Sequence, residues 1–340
     1  MTIHSQAPTR VDLAGGTLDI WPLYLFHENS QTINFAVNCY ARCRLTPRRD
    51  NTIELISRDL HLRQSFPSLE AIKRAKSPKS LRLPLLARLV MAFQPQGGFT
   101  LATDSDAPAG AGLGGSSALN IAVCGALSRF VGRRLSPPKL IEVARNVEAQ
   151  VLGVPTGEQD YYSAVFGGIQ AICLTPHGVR AEKLTVDSRQ LNARVVVCYT
   201  GQSRNSGINN WEVMKAHVDG KRPVIRQFDR IAAIAAEMRQ ALENEDWLGA
   251  ARLLKQDWAA RKKNHPGITT ARMERLVAVA VRHGALAAKA CGAGGGGCMM
   301  FLVEPDAKQR VETALRQADA HLLPLQVSAQ GLRVREGATD

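Results

Sequence analysis

The chain lacks the patterns that would mark a metal-binding, disulfide-rich or membrane protein. Its seven cysteines are scattered without a CxxC pair, which argues against a zinc knuckle and a disulfide framework. The eight histidines show no HExxH or comparable ligand spacing. No segment approaches the roughly 18 continuous apolar residues of a membrane span. The first residues also lack the basic-then-apolar pattern of a signal peptide, so we expect a cytoplasmic protein that does not bind membranes.

Acidic and aromatic residues are scarce. There are 30 acidic against 43 basic residues, a net charge of +13, which suits anionic partners such as nucleic acid, anionic membranes or phosphorylated small molecules. Aromatic residues make up only 5% and no nucleic-acid-binding motif is present, so we expect no nucleic-acid partner. Residues 41–89 carry 12 basic and 4 acidic residues, so much of the excess charge lies in this block. Since we expect neither nucleic acid nor membranes as partners, phosphorylated small molecules are the remaining class of anionic partner.

The 340 residues suggest about two domains. Short alternating apolar runs dominate the first half and predict strands, whereas long helical periodicity dominates after residues 180–195. We therefore predict domains at residues 1–188 and 189–340. The first contains a buried helix after residue 115, and the second contains several amphipathic helices followed by a glycine-rich loop and a strand.

Two segments are far richer in glycine than ordinary turns. The first is PAGAGLGGSSAL at residues 108–119, which leads into the buried helix, and the second is CGAGGGGCMMF at residues 291–301. Glycine allows a close backbone approach and positive φ, and successive N–H groups before a helix bind phosphate. Neither segment fits a Rossmann unit, in which a glycine loop lies between a strand and a helix and is followed by an acidic residue that binds the ribose. The first segment lacks that acidic residue, and the second precedes a strand instead of following one. The P-loop pattern GxxxxGK[ST] is also absent.

Polar residues near these loops could supply the rest of a phosphoryl-transfer site. Such a site needs a magnesium ligand set, a group that orients or deprotonates the acceptor, and positive charge. Ser116 at the helix start and Glu148 in the next helix are candidate metal ligands, although the residues alone favour a helix cap for Ser116 and a solvated surface position for Glu148. Asp160, beside two tyrosines, is a candidate base. Arg10 and Asp19 flank a Gly-Gly turn and could instead form a local ion pair.

Three ordered motifs resemble those of the GHMP kinase superfamily. APTRVDLAGGTLD is similar to its first motif, PAGAGLGGSSAL to its ATP-phosphate loop and KACGAGGGGCMMFLV to its third motif. The resemblance covers nearly the whole chain. It implies an α+β, two-domain fold with a ribosomal protein S5 domain 2-like N-terminal domain and a ferredoxin-like C-terminal domain. It also implies an ATP-dependent kinase with Mg²⁺ as cofactor, acting as a monomer or homodimer.

The resemblance assigns roles residue by residue. Asp160 is the implied base and Arg10 the residue that stabilises charge, while Ser116 and Glu148 hold Mg²⁺. Gly115 stands where many relatives have serine, so the serine roles can shift between Ser116 and Ser117. The implied nucleotide-binding residues are Pro108, Gly110, Gly112, Leu113, Gly114, Gly115, Ser116, Ser117, Gly292, Gly294, Gly295 and Gly296. Among them, the glycines at 292–296 are implied to support the phosphate loop and to close the floor of the cleft. The predicted acceptor-binding residues are Asp19, Gly15, Gly16 and Arg204.

The acceptor is a sugar or sugar phosphate in the favoured interpretation. The Glu-His pair that galactokinases carry after the first-motif glycine is replaced by Gly16-Thr17, which disfavours galactose. The AGG turn followed by an aspartate, together with GEQDYYSAVFGG, CYTGQSRNSG and KKNHPGITT, resembles D-glycero-D-manno-heptose 7-phosphate kinases. Fucose, a galactose-like sugar or mevalonate remain alternative acceptors. A non-catalytic regulator with the same fold is a further alternative.

Overall fold

A computed structural model describes residues 1–75, 80–203 and 206–337, and the side chains of residues 206–209 are outside this description. The first sheet contains eight strands. They are β1 (Thr2–Ala14), β2 (Gln31–Pro47), β3 (Ile53–Ser57), β4 (Leu62–Phe66), β5 (Phe99–Ser105), β6 (Ile169–Thr175), β7 (Gly178–Lys183) and β12 (Arg333–Gly337). The second sheet contains β8 (Val195–Tyr199), β9 (Ala285–Ala290), β10 (Cys298–Val303) and β11 (His321–Leu323).

Strand β2 organises the first sheet. It is a single strand of 17 residues. Its first part, Gln31–Phe35, pairs with β6, its last part, Ala41–Pro47, pairs with β5, and β1 runs antiparallel along its other side. The sheet order β12-β1-β2-β5-β3-β4 has a parallel pair only between β3 and β5. In the second sheet, β11-β8-β10-β9, every neighbouring pair is antiparallel.

Eleven α-helices surround the sheets in the described ranges. They are α1 (Leu69–Arg74), α2 (Pro84–Phe93), α3 (Gly115–Phe130), α4 (Pro137–Leu152), α5 (Gln159–Phe166), α6 (Ser188–Arg194), α7 (Ser206–Val218), α8 (Arg222–Glu243), α9 (Trp247–Asn264), α10 (Ala271–Arg282) and α11 (Lys308–Gln317). Helix α3 packs on β1 and β2 and is buried along most of its length, as its apolar run predicts. None of these helices is long and apolar enough to cross a membrane.

The last strand returns to the first sheet. Strand β12 pairs antiparallel with β1, from Thr2 opposite Gly337 to Gln6 opposite Arg333. Apart from β12, the strands of the first sheet precede the predicted boundary after residue 188 and those of the second sheet follow it, since β7 ends at Lys183 and β8 begins at Val195. Because β12 covers the free edge of β1, it removes an unpaired strand edge near the N-terminus. The boundary itself stays a prediction.

Four buried charged side chains connect the first sheet, the second sheet and α9. Lys289 on β9 donates to Asp12 on β1 at 3.1 Å and to Asp257 on α9 at 2.7 Å. Arg261, one turn after Asp257, donates to the same carboxylate of Asp12 at 3.3 Å. All four side chains are at most 2% exposed. Two positive and two negative charges are therefore neutralised internally, and their geometry fixes the relative positions of β1, β9 and α9.

Replacing Lys289 with methionine should strongly destabilise the protein. The substitution leaves two carboxylates without their shared cation in a site closed to water, and loss of one partner of a buried pair costs about 3–5 kcal/mol. The midpoint of urea unfolding measures the effect. Lys215→Met is the matched control, because Lys215 pairs with Asp219 on an exposed helix face. A shift no larger than that of the control would contradict a structural role for the charge network.

Candidate active site

The glycine-rich segment between β5 and α3 forms one wall of a cavity of about 670 Å³. Gly110, Gly112 and Gly114 have positive φ angles of 70°, 75° and 73°. Helix α3 begins at Gly115, so its first N–H groups, which have no carbonyl partner within the helix, open into the cavity. Backbone N–H groups and the positive end of the helix dipole together favour a bound phosphate.

A buried carboxylate lies beside this loop. Glu148 on α4 lines the cavity, and its Oε2 accepts hydrogen bonds from the hydroxyls of Ser117 at 3.0 Å and Tyr161 at 2.8 Å. Burial raises the pKa of Glu148, while these hydroxyls and that of Ser116 oppose the shift. The sequence alternative of a solvated surface residue is therefore wrong, since Glu148 is only 4% exposed.

Arg10 fastens the three sequence motifs to one another. Its Nε and one terminal nitrogen both lie 2.7 Å from Oδ1 of Asp160. Its other terminal nitrogen donates to the carbonyl oxygens of Gly112 at 2.7 Å and Cys291 at 2.8 Å. Burial disfavours the charge on Arg10, but Asp160 and Asp12 outweigh it and raise the pKa of Arg10. The pair with Asp160 is thus a long-range connection between motifs, not the local ion pair that the sequence also allowed.

Asp160 stands between two cavities. It lies in the first turn of α5, where the helix N-terminus favours negative charge. On one side it lines the larger cavity, and on the other it lines a smaller cavity of about 60 Å³. Within the part of the chain that the structure describes, no other residue lines both. Its Oδ1 is held by Arg10, whereas Oδ2 accepts no hydrogen bond from any described residue.

The smaller cavity contains the first-motif turn. Gly16 and Asp19 line it together with Gln159, Arg261 and Asp160. The backbone N–H groups of Gln159 and Thr17 donate to the Asp19 carboxylate at 2.9 and 3.1 Å. These contacts hold Asp19 in a fixed orientation towards the cavity.

The environment of Asp19 places its titration near neutral pH. Burial raises the pKa of Asp19 to about 7, the N–H of Gln159 opposes the shift, and the charges of Asp160 and Asp12 add to it. A carboxyl that changes charge in this range offers either a donor or an acceptor to a ligand hydroxyl.

The third motif lies behind the phosphate loop rather than in the larger cavity. A Cβ on Gly292 would approach the carbonyl oxygen of Gly112 to 2.8 Å, so only glycine permits this packing of loop on loop. The N–H of Gly295 bonds to Ile268 at 2.6 Å, and a Cβ on Gly294 would collide with the same residue. Gly292, Gly294, Gly295 and Gly296 do not line the larger cavity, and direct nucleotide contact by these residues is not supported by their position.

The other predicted residues divide into lining and supporting positions. Pro108, Gly115, Ser116 and Ser117 line the larger cavity as expected. Leu113 is fully buried, and its carbonyl accepts from the N–H of Arg10 at 2.9 Å, so it supports the loop from behind. Gly15 packs against Gln31 and donates to Asp257 at 3.2 Å, away from both cavities. Arg204 lies outside the described residues.

Sequence reasoning missed Arg261 and the charges that position it. Arg261 donates to the carbonyl of Gly292 at 2.9 Å and lines the smaller cavity. It lies in the run ARKK, where it is indistinguishable from solvated helix residues. Lys289 and Asp12 did offer a signal, because each is a charged residue inside an apolar strand run. A buried charge in such a run requires an opposite partner.

Comparison with known families identifies the arrangement. The N-terminal domain of GHMP kinases matches residues 82–168, and the C-terminal domain of GHMP kinases matches residues 238–321. A mevalonate kinase from Thermococcus sibiricus is 31% identical over 254 residues, which span 72% of this chain and 71% of the relative. This chain belongs to the GHMP kinase family. The two-domain α+β fold and the kinase class predicted from the sequence are confirmed.

Two further similarities extend over almost the whole length of this GHMP kinase. A D-glycero-alpha-D-manno-heptose 7-phosphate kinase from Campylobacter jejuni is 29% identical over 340 residues, covering 98% of both chains. The crystal structure of a D-glycero-D-manno-heptose 1-phosphate kinase from Bacteroides thetaiotaomicron gives a TM-score of 0.80 at 25% identity, covering 99% of this chain and 100% of that chain. The resemblance to heptose phosphate kinases seen in the sequence is thus confirmed.

Asp19 should also make folding stability depend on pH. The ordinary aspartate pKa is 3.8 and the native value is about 7. Between these values the native protein retains a proton that the unfolded chain has released. The contribution of Asp19 to the free energy of unfolding therefore declines as the pH rises through this window.

The same titration should appear in catalysis. We expect kcat/KM for the acceptor to rise as the pH approaches 7 and to level off above it, because ionised Asp19 accepts more hydrogen bonds from hydroxyls. The measurement is the rate of ADP formation from about pH 5.5 to 8.5 for wild type and for Asp19→Asn. Substrate phosphates titrate in both experiments, so a difference between the two pH profiles reports the titration of Asp19. Profiles of identical shape would contradict the assignment.

Proposed function

We propose that this GHMP kinase transfers the γ-phosphoryl group of ATP to a hydroxyl of a sugar phosphate, with D-glycero-D-manno-heptose 7-phosphate as the first candidate acceptor. The position of Asp160 carries the proposal, because its carboxylate borders both cavities. One cavity has the features of a phosphate-donor site, and the other carries polar groups suited to hydroxyls. A carboxylate between them can take the proton of the attacking hydroxyl.

The larger cavity is the nucleotide site in this proposal. Its glycine loop and the start of α3 would bind the phosphates. The apolar side chains of Leu60, Leu83 and Leu86 line the same cavity and offer a surface for a planar base. The basic block noticed in the sequence contributes Arg82 to this wall. These features support ATP as the phosphoryl donor.

The oxygen atoms beside the loop suit Mg²⁺. Glu148 supplies one carboxylate and Ser116 and Ser117 supply hydroxyls, and Mg²⁺ is usually bound by one or two carboxylates together with substrate phosphates. Within the described ranges no group of three or more His, Cys, Asp or Glu residues could hold a metal ion. The remaining ligands would therefore come from phosphate oxygens and water. Bound there, Mg²⁺ would neutralise charge on the phosphates.

Asp160 and Arg10 perform the proton transfer and charge stabilisation. The acceptor hydroxyl would give its proton to Oδ2 of Asp160, while its oxygen forms a bond to the γ-phosphorus and the bond to the bridging oxygen of ADP breaks. Arg10 keeps Oδ1 fixed through two contacts of 2.7 Å, so the free oxygen is aimed without reorganisation. Its positive charge also lies beside the developing negative charge.

The acceptor would enter the smaller cavity through its reacting hydroxyl. A volume of about 60 Å³ holds that hydroxyl and its neighbours only, so the rest of the sugar phosphate would extend past Asn210 on α7. Asp19 and Arg261 supply an acceptor and a donor for hydroxyl groups. Arg204 remains a candidate for the acceptor's phosphate.

Asp160→Asn should abolish turnover while leaving nucleotide binding intact. The amide keeps the size of the side chain but cannot act as a base, so kcat should fall on the order of 10³-fold. The Kd for ATP should stay within about twofold of wild type. The matched control is Asp219→Asn, which removes an exposed carboxylate paired with Lys215. Retention of a tenth or more of wild-type kcat would contradict the role of Asp160 as the base.

A panel of acceptors tests the substrate assignment. ADP formation should be fastest with D-glycero-D-manno-heptose 7-phosphate and much slower with the unphosphorylated heptose, fucose, galactose or mevalonate. The decisive comparison is between the rates with heptose 7-phosphate and with heptose 1-phosphate, because one similar structure is that of a heptose 1-phosphate kinase. Faster turnover of an unphosphorylated sugar or of mevalonate would overturn the assignment. No turnover of any member would favour a non-catalytic regulator.

A further inference from the structure

The solvent-facing side of the first sheet holds another cavity, of about 450 Å³, that the kinase mechanism does not use. Five arginines line it, and Asp104 is the acidic residue among its lining groups. The arginines are Arg42 and Arg44 on β2, Arg58 after β3, and Arg333 and Arg335 on β12. Three of them belong to the basic block at residues 41–89, so this cavity accounts for part of the charge excess seen in the sequence.

Strand pairing explains why these side chains gather. Gln6 on β1 lies opposite Arg333 on one side and Arg42 on the other, and His4 lies in the same way between Arg335 and Arg44. Neighbouring strands are about 4.8 Å apart, so the arginines of β2 and β12 lie about 10 Å apart across β1. The opposite face of the sheet packs on α3 in the core. The described residues therefore form a pair of basic rows on the sheet face opposite α3.

Two of the five arginines have no partner among the described residues. Arg42 is paired with Asp106, and Arg333 lies over the ring of Tyr40 with its guanidinium carbon 5.8 Å from the ring centroid. Arg44 also has an interaction partner, whereas the side chains of Arg58 and Arg335 form no ion pair or hydrogen bond with any described residue. Like charges gathered on one sheet face repel each other, and a bound anion would relieve that repulsion.

We propose that this cavity, here called the sheet-face cavity, is a second anion-binding site that takes a small ligand with at least two phosphate groups. Arginine forks bind phosphate oxygens in pairs, and rows on either side of β1 suit two phosphates better than one. The volume lies within the range of small-molecule sites, roughly 300–1,000 Å³.

The sheet-face cavity also adjoins the nucleotide cavity. Thr103 lines both of them. Arg58 faces the sheet-face cavity, whereas its chain neighbours Ser57 and Asp59 line the nucleotide cavity. A ligand bound to Arg58 would therefore influence the positions of Ser57 and Asp59 in the wall of the nucleotide cavity. A phosphorylated metabolite could regulate the kinase in this way.

Pyrophosphate is a suitable probe, with binding to the full-length protein measured by calorimetry in magnesium-free buffer. Wild type should bind two equivalents, one at the phosphate loop, displaced by ATP, and one at the sheet-face cavity. The double variant Arg58→Gln/Arg335→Gln should weaken the second site tenfold or more and leave the first unchanged. The matched control Arg180→Gln/Arg189→Gln removes the same charge from exposed positions elsewhere and should keep both sites.

The readouts separate the possible results. Kinase activity of Arg58→Gln/Arg335→Gln within about twofold of wild type shows an intact fold, and Arg335→Gln alone on the edge strand repeats the test if the double variant unfolds. A single pyrophosphate site retained by every variant would overturn the proposal. Equal weakening in both double variants would also overturn it, because it would reflect net charge only. So would tight binding of a single-stranded RNA at these arginines without binding of pyrophosphate.

Discussion

Four charged side chains with almost no access to water set the geometry on which the active site depends. Lys289 and Arg261 neutralise Asp12 and Asp257, and in doing so they connect β1, β9 and α9. The first-motif turn and the third-motif loop both attach to this network, through the N–H of Gly15 and the carbonyl of Gly292. A low-dielectric site makes each of these contacts strong and directional, but only while every charge keeps its partner.

Arg10 fixes the parts of the candidate active site relative to one another in a similar way. One guanidinium contacts the glycine-rich loop before α3, the third motif and Asp160, so a single rigid group sets the distances among these three parts of the candidate site. Catalysis by positioning needs this kind of rigidity, because phosphoryl transfer requires little covalent participation by the protein. The burial of Asp19 adds a second property, a carboxyl whose charge changes near neutral pH.

The sequence predicted the parts of the site that follow from local rules. Glycine runs at strand and helix boundaries predicted a phosphate loop in the segment that lines the larger cavity, and polar residues at breaks in apolar runs singled out Asp160 and Arg10, which the structure brings together. The charge network escaped prediction because its members lie far apart in the chain: Arg261 is 249 positions and Lys289 is 277 positions after Asp12. The third-motif glycines were expected to support the phosphate loop, and Gly292 does pack against Gly112. Their contact with nucleotide stays a prediction, because a single sequence does not distinguish contact with a ligand from contact with another loop.

The return of β12 to the first sheet has a consequence for biosynthesis. The edge of β1 stays open until residues 333–337 have left the ribosome, long after the rest of its sheet has been made. During that interval the second domain folds beside a neighbour that still presents an unpaired strand, the kind of edge that recruits other chains. The first sheet is therefore completed only after all strands of the second sheet have been translated.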